Sequence, residues 1–341
     1  MGENQQFDYD AFSPKIAVVG VGGQGSNLVN RLFSHNIKSA TTIAVNTDIG
    51  HLNMIKAHKK ILIGKEITQG LGAGGFPEVA AKCADMSRRE LEAALEGYNL
   101  VFVAAGMGGG TGTGAAPTVA NVARELGATV IATVTFPFAL ERSRKLKAEW
   151  GLEHLQKQAD STIVIENDQL LSYVPNLPIE RAFELVDNIT GNAVKGIADT
   201  ITLPSLINLD FADLRNVVKD TGTAVISLGM GSGHDRVEQA IKSTRTHPLL
   251  NVDYEGAKGG LIHVVGGSNL TISDATRIGE GVTDLLAPDA NVIFGARMAP
   301  EMGDQIRVMS VITGVKAKFG VKREERQTAS AMAIESMDRL Y

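Results

Sequence analysis

The chain has a single cysteine, Cys83, among its 341 residues. One thiol cannot build a disulfide framework or a cysteine metal site, and such usage suits a reducing compartment. A basic excess is also missing. Lys and Arg total 33 against 38 Asp and Glu, a formal net charge of -5, where a nucleic-acid binder normally carries a basic face. No apolar run is long: those at 99–107 and 129–136 fall far short of the roughly 20 residues a membrane helix needs. The first residues, MGENQQFDYD, are polar and acidic, the opposite of a secretory leader. The 7 histidines are scattered without metal spacing, and G-x-x-x-x-G-K-[ST] occurs nowhere. These absences argue against nucleic-acid binding, direct membrane insertion and a P-loop, and they leave metal ligands unassigned.

What is present is a repeating pattern. From residue 15, runs at 15–20, 41–46, 59–64, 99–106, 128–136 and 161–167 read as strands, with helical patterns at 77–98 and 115–126 among them. Continuous apolar strands alternating with helices predict a parallel sheet covered on both faces. The rhythm then changes. Ile179, Ala182, Phe183, Val186, Ile189, Ala193, Ile197 and Ile201 recur at helical spacing and predict one long helix ending before Pro204. Runs at 223–231, 260–267, 291–298 and 305–314, with helical patterns at 237–243 and 273–286, predict a second, smaller α/β domain. The expected class is therefore α/β. It comprises a flexible arm (1–13), a Rossmann-like parallel-sheet domain (14–177), a central helix (178–203), a second domain (204–318) and a tail (319–341).

Two glycine-rich loops follow buried strands and open helices. The first, Gly20-Val21-Gly22-Gly23-Gln24-Gly25, matches G-x-G-x-x-G. Glycines let backbone approach a phosphate, and a helix N-terminus offers free N–H groups and partial positive charge. Alone it fits a dinucleotide-dependent dehydrogenase, with Asp48 near the end of the next strand as the ribose acid, or a tight turn with no ligand. The second loop, 106–114, has glycine at 106, 108, 109, 110, 112 and 114. Consecutive glycines can curl into a nest of N–H donors around an anion, and Thr111 and Thr113 add hydroxyls that could face a magnesium ion. Pro117 is tolerated in the first turn of the following helix. A second phosphate cradle has no use in a dehydrogenase. The stretch 70–75, also glycine-rich, reads as another anion-facing turn or as a flexible loop.

Together these motifs resemble the tubulin/FtsZ superfamily, and within it the FtsZ branch. In order they are GVGGQGSN (20–27), AVNTD (44–48), GLGAG (70–74), GMGGGTGTGAAP (106–117), Pro137-Phe138 with Glu141, Asn167-Asp168, Phe183 with Asp187, and NLDFADLR (208–215). They span nearly the whole chain, and the combination is far more specific than any one member. The resemblance implies the tubulin/FtsZ fold and a self-assembling GTPase that converts GTP to GDP and phosphate. Gly22, Gly23, Gln24, Gly25 and Asn27 would wrap the α- and β-phosphates and reach the base, with Asn46 also at the nucleotide. Ala73, Gly74 and Gly75 would sense the γ-phosphate. Gly106, Gly108, Gly109, Gly110, Thr111, Gly112 and Thr113 would hold the phosphate chain, Gly108 through Gly112 by backbone N–H groups. Glu141 would bind the ribose, or be a solvated acid at a helix start. Asn167 would contact guanine or ribose, or cap a helix.

Phe183 and Asp187 lie one helical turn apart and so share a face. Phe183 would stack on the base, although by spacing alone it reads as core. Asp187 would accept from guanine N1–H and the N2 amine, a pairing adenine cannot offer, and such sites discriminate by about 10⁴ or more. Asn208, Asp210 and Asp213 form the acidic loop. Locally they read as a capped helix start. The resemblance implies that they reach the γ-phosphate of the next copy in a head-to-tail protofilament, so that hydrolysis waits for assembly. Gln24 and Ser26 stand where the family commonly has glycine, and Lys145 stands where it has arginine, which makes Arg144 the choice for a phosphate-side cation over Arg142. The long linker and adaptor-binding peptide of bacterial relatives are not among these 341 residues, so adaptor binding through such a tail is not the expectation here. The expected cofactors are GTP/GDP and Mg2+. The expected partners are further copies of the chain and a membrane-anchoring adaptor, in the cytoplasm at the mid-cell division site. Two rivals stay open: an NAD-dependent Rossmann enzyme, and a GTP-binding scaffold that does not hydrolyse.

Overall fold

The computed structural model describes residues 13–168, 176, 178–202, 207, 209–219, 221–245 and 252–317. Asn208, Pro204 and nearly all of the arm and tail lie outside those residues. The first half runs β1 (Ile16–Val21), α1 (Gly22–Ser34), β2 (Thr41–Asn46), α2 (Ile49–Met54), β3 (Lys59–Leu62), α3 (Lys65–Thr68), α4 (Pro77–Met86), α5 (Arg88–Leu95), β4 (Leu100–Gly106), α6 (Thr111–Glu125), β5 (Thr129–Phe136), α7 (Arg142–Gln156) and β6 (Ser161–Glu166). The second runs α8 (Ile179–Thr202), α9 (Phe211–Val218), β7 (Gly222–Gly231), α10 (Arg236–Arg245), β8 (Val252–Asp253), β9 (Gly259–Gly266), α11 (Ile272–Thr283), β10 (Asn291–Met298), β11 (Ile306–Thr313) and β12 (Lys316–Ala317).

The β-branched-rich segments IAVVGV and TVIATVTF are buried along their entire length as β1 and β5, as strands covered on both faces must be. Ten strands form one sheet in the order β10-β9-β11-β7-β6-β5-β4-β1-β2-β3. β11 runs antiparallel to both β7 and β9, so the sheet is mixed rather than parallel throughout. The strands of the second half join the first through β6 and β7, by a short register of Ser161↔Gly222, Thr162↔Thr223 and Ile163↔Ala224. Two further differences are local. The pattern at 77–98 is interrupted at Ser87 between α4 and α5, where the Ser87 hydroxyl accepts from Gly64 N. And α1 starts at Gly22, inside the loop motif.

One core lies between the first-half strands and α4 to α7, built from residues such as Val103, Leu91, Val119 and Leu155. A second is continuous from Ile16, Leu28 and Phe102 through Val194 and Ile197 of α8 to Leu214, Leu261 and Val311. It ties the two halves together across the central helix. α8 has 24 residues, about 36 Å at 1.5 Å per residue. Its middle faces α1, where Gly191 packs on Leu28 and Leu32. Its last turns reach the other end of β1, where Asp199 and Thr202 line a cavity with Lys15 and Ile16. Thr200 shares a 3.1 Å hydrogen bond with buried His263 of β9.

Candidate functional site

The first two glycine loops meet face to face. Gly22 has a φ of 74°, a conformation open to glycine at little cost, and a Cβ there would stand 2.7 Å from the Gly112 amide nitrogen. Gly25 does different work, since a Cβ on it would overlap Ala104 O of β4 and break close helix–strand packing. Gly23 has open space around it. Gln24 lies inside α1, is not among the positive-φ residues, and extends over Gly106 so that a Cβ there would overlap its Oε1. Asn27, in the next turn, is exposed.

In the second loop α6 starts at Thr111 behind Gly110, with no side-chain cap, so its first N–H groups are left to another acceptor. Three expectations need correction here. The Gly108 N–H donates to the buried Thr113 hydroxyl at 2.9 Å. That amide is therefore engaged within the loop, and the Thr113 hydroxyl faces inward rather than toward a cation. Gly108 is needed for another reason: its φ is 93°, and a Cβ would lie 2.7 Å from the Arg144 carbonyl. Pro117 sits inside α6 rather than in its first turn. The Thr111 hydroxyl, in contrast, lies 2.8 Å from that of buried Thr47.

The third loop closes on the second. A Cβ on Gly110 would be 3.0 Å from Ala73 Cβ and Phe76 N and 3.2 Å from Gly75 N. Gly70, Gly72, Gly74 and Gly75 all have positive φ. Gly72 N donates to Thr47 O at 3.2 Å, and Asp48 bridges Leu71. Asp48 itself caps α2, its Oδ1 accepting from His51 N at 2.9 Å. Asn46 is buried, and its carbonyl oxygen accepts from Thr47 N and Asp48 N; it holds its own loop rather than projecting from it.

The rim is made by α7 and α8. Glu141 Oε1 accepts from Phe138 N at 3.0 Å, and Glu141 Oε2 pairs with Arg144 at 2.5 Å. Arg144 packs its backbone on Gly108 and brings a guanidinium nitrogen to 4.0 Å from the Cβ position of Gly109. Asp168 accepts from Ala139 N. Asn167 is buried, and its Oδ1 has no hydrogen-bond partner among the described residues. Phe183 is 36% exposed and meets Phe138 edge-on at 6.1 Å. Asp187 is buried 3.7 Å from Arg31 of α1, which also donates to Asn188 at 3.3 Å. Burial pushes the Asp187 carboxyl up to about 6, against the pull of Arg31.

Arg31, Thr47 and Lys147 were not singled out from the sequence. Arg31 was findable as the residue one turn beyond Asn27, and Thr47 as a member of AVNTD. Lys147, three residues after Arg144, donates to Gly75 O at 2.6 Å.

The acidic loop is elsewhere. Asp210 caps α9 through a reciprocal box: Asp213 N donates to Asp210 Oδ1 at 2.7 Å, and Asp210 N to Asp213 Oδ2 at 3.4 Å. Each carboxylate uses one oxygen there, and Asp210 is exposed. α9 packs on β9 and β10. Between β9 and the cradle strand β4 lie β11, β7, β6 and β5, roughly 24 Å at about 4.8 Å per strand spacing. The structure thus gathers the glycine loops, Arg144, Asn167, Phe183 and Asp187 at one end, and leaves Asp210 and Asp213 apart.

Residues 15–175 match the family model described as Tubulin/FtsZ family, GTPase domain, and residues 222–316 that described as FtsZ family, C-terminal domain. The chain is 54% identical over 306 residues to Cell division protein FtsZ 2 of Methanocaldococcus jannaschii, covering 89% of this chain and 80% of that one. It is 48% identical over 315 residues to Cell division protein FtsZ 1 of Thermococcus kodakarensis, covering 92% and 84%. A solved structure of an empty FtsZ dimer from M. jannaschii superposes with a TM-score of 0.84 at 41% identity, over 92% of this chain and 95% of that one.

Proposed function

Because the chain belongs to the tubulin/FtsZ family and is a tubulin-like GTPase of cell division, we propose that it binds GTP between its glycine loops and hydrolyses it only when a second copy docks. The observation that carries this reading is the separation of Asp210 and Asp213 from the loops. With five strand spacings, roughly 24 Å, between the strand under the acids and the strand that leads into the cradle, acids and phosphates in one molecule stay apart, whereas a head-to-tail neighbour can present them. Such a heterologous contact does not close and grows into a filament. The dinucleotide alternative falls with the family assignment.

The residues fit a guanine nucleotide. Gly22, Gly108 and Gly110 keep open the space that a Cβ would fill, and the orphaned Asn167 Oδ1 awaits a donor. First-turn amides of α1 and α6, with those of Gly109 and Gly110, hold phosphate oxygens, each contact worth about 1.5–3 kcal/mol. Arg144 adds charge beside them. Glu141 and Asn167 take the ribose, Phe183 stacks on the base, and Asp187 accepts from its N1–H and amine. Among the described residues no group of His, Cys, Asp or Glu could hold a metal alone. A magnesium ion carried on the phosphates, with the Thr47 and Thr111 hydroxyls beside it, fits that donor set and would neutralise phosphate charge. Asp210 and Asp213 of the next copy use their free oxygens to orient the attacking water and take its proton, in a reaction governed by positioning and charge.

No helix among the described residues is long and apolar enough to cross a membrane. We place the protein in the cytoplasm at the mid-cell division site, where a membrane-anchoring adaptor would tether its filaments. The test follows light scattering and phosphate release after adding GTP and magnesium across a range of protein concentrations. Both should appear only above a threshold. Release that stays linear down to dilute protein would sink the divided site.

A further inference from the structure

The third glycine loop is secured at its two ends by different parts of the molecule. Its start is held from the β2 side, by Gly72 N on Thr47 O and by the bridge between Asp48 and Leu71. Its end turns through Gly74 and Gly75, whose φ values are 60° and 79°. Such glycines lose much backbone entropy when ordered, so that end needs an anchor. The anchor comes from α7. Lys147 Nζ donates to Gly75 O at 2.6 Å and stands 5.6 Å over the ring of Phe76, a cation–π distance.

α7 also touches the second loop. One turn earlier on the same helix, the backbone of Arg144 packs on Gly108, and residues three apart share a helix face. The second and third loops meet each other at Gly110, against Ala73, Gly75 N and Phe76 N. One face of α7 therefore fixes how far apart these two loops sit. The β2 anchor and the α1 loop do not depend on it.

We propose that Lys147 is a positioning residue that clamps the third loop onto the second, setting the gap that receives the terminal phosphate. The inference rests on the reading that the glycine loops hold a triphosphate. It distinguishes Lys147 from Arg144, because Lys147 acts through Gly75 and Phe76 rather than on nucleotide. Removing the clamp leaves the GDP-holding parts, the α1 loop and the base pocket, in place, and lets only the γ-phosphate end loosen. GTP should weaken while GDP does not.

The experiment titrates fluorescently labelled GDP and GTPγS, with magnesium, against wild type, Lys147→Met and Lys147→Arg below the assembly threshold. Losing one charge-assisted hydrogen bond should weaken GTPγS about tenfold in Lys147→Met, with GDP within about twofold of wild type. Retained GDP binding also reports that the variant is folded. Lys147→Arg still offers a donor to the carbonyl and a cation to the ring, so its GTPγS-to-GDP ratio should stay near that of wild type. A Lys147→Met ratio equal to wild type overturns the proposal, whether both affinities fall together or neither does. So does Lys147→Arg behaving like Lys147→Met. Wild type that binds neither nucleotide would instead sink the cradle reading itself.

Discussion

At the ends of β1 and β4 the proposed binding surface is made almost wholly of backbone, while the proposed catalytic surface at the start of α9 is made of side chains. In the first region, Gly22 and Gly110 stand where a Cβ would crowd another loop and Gly108 where one would meet the Arg144 carbonyl of α7, and the hydroxyls of Thr47 and Thr111 pair within it. In the second, Asp210 and Asp213 hold each other in a capping box at an exposed helix start. The first can hold an anion with no help from another chain. The second has charge and a free oxygen on each acid but nothing of its own to act on. Binding and turnover should therefore be separable by mutation, and that gives the comparison its sharpest tests.

The largest effect is expected at the acids. Asp213→Ala should lower turnover by about 10²–10⁴, the scale of a lost general base, with GTP affinity unchanged in a titration of the dilute protein. Asp210→Asn should do the same to turnover while keeping the cap, because Asn caps as well as Asp. Its melting free energy should stay within about 0.5 kcal/mol of wild type, whereas Asp210→Ala should lose about 1 kcal/mol. The comparison breaks if Asp213→Ala loses binding along with turnover.

Next in size is the cradle. Gly22→Ala places a Cβ 2.7 Å from the Gly112 amide in a left-handed backbone, and should cost one charge-assisted contact. That is ten- to hundredfold in GTP affinity, from about 1.5–3 kcal/mol. Mixing the two defective proteins tests both regions together. Asp213→Ala keeps a sound cradle and Gly22→Ala keeps sound acids, so the mixture should release phosphate faster than the sum of the two alone. A mixture no better than that sum would put the acids and the phosphates back in one molecule.

Most of the cradle was readable because its chemistry is local. The run 106–114 has too many glycines for anything but close backbone approach, and each strand before a loop shows itself as an apolar run. What escaped notice depends on residues distant in sequence. Nothing near Asp187 announces Arg31, which α1 brings alongside it from 156 positions away. Nothing in Gly75 announces Lys147, and Gly108 looks like a phosphate donor until Thr113 is found folded back on its amide. The second domain showed itself as a change of rhythm after the central helix, but its seam with the first did not, because sequence shows runs, not pairings, and the register joining β6 to β7 is only a few residues long. At Asp210 and Asp213 the capped-turn reading and the family reading proved compatible, since the box leaves each carboxylate an oxygen.

The smallest effect concerns the base. Asp187 is buried with Arg31 at 3.7 Å, and burial outweighs that cation, so its carboxyl titrates at about 6. Guanine brings two donors, N1–H and the amine, which favour the ionised form and lower the pKa of the complex. Nucleotide must therefore displace the proton whenever the free protein holds one. Above pH 6 there is none to displace and affinity should be flat; below it, affinity should fall by up to tenfold per unit, so GDP should bind about tenfold more weakly at pH 5 than at pH 7. The stability of the nucleotide-free protein should move the opposite way. The folded carboxyl takes its proton at about 6, above the ordinary value of 3.8, so this group adds stability as pH falls through 6 toward 4. Asp187→Asn removes both dependences. It should also turn the site toward xanthine, whose C2 carbonyl can accept from the new amide. A GDP affinity as pH-dependent in Asp187→Asn as in wild type would assign the titration to another group and leave guanine recognition without its carboxylate.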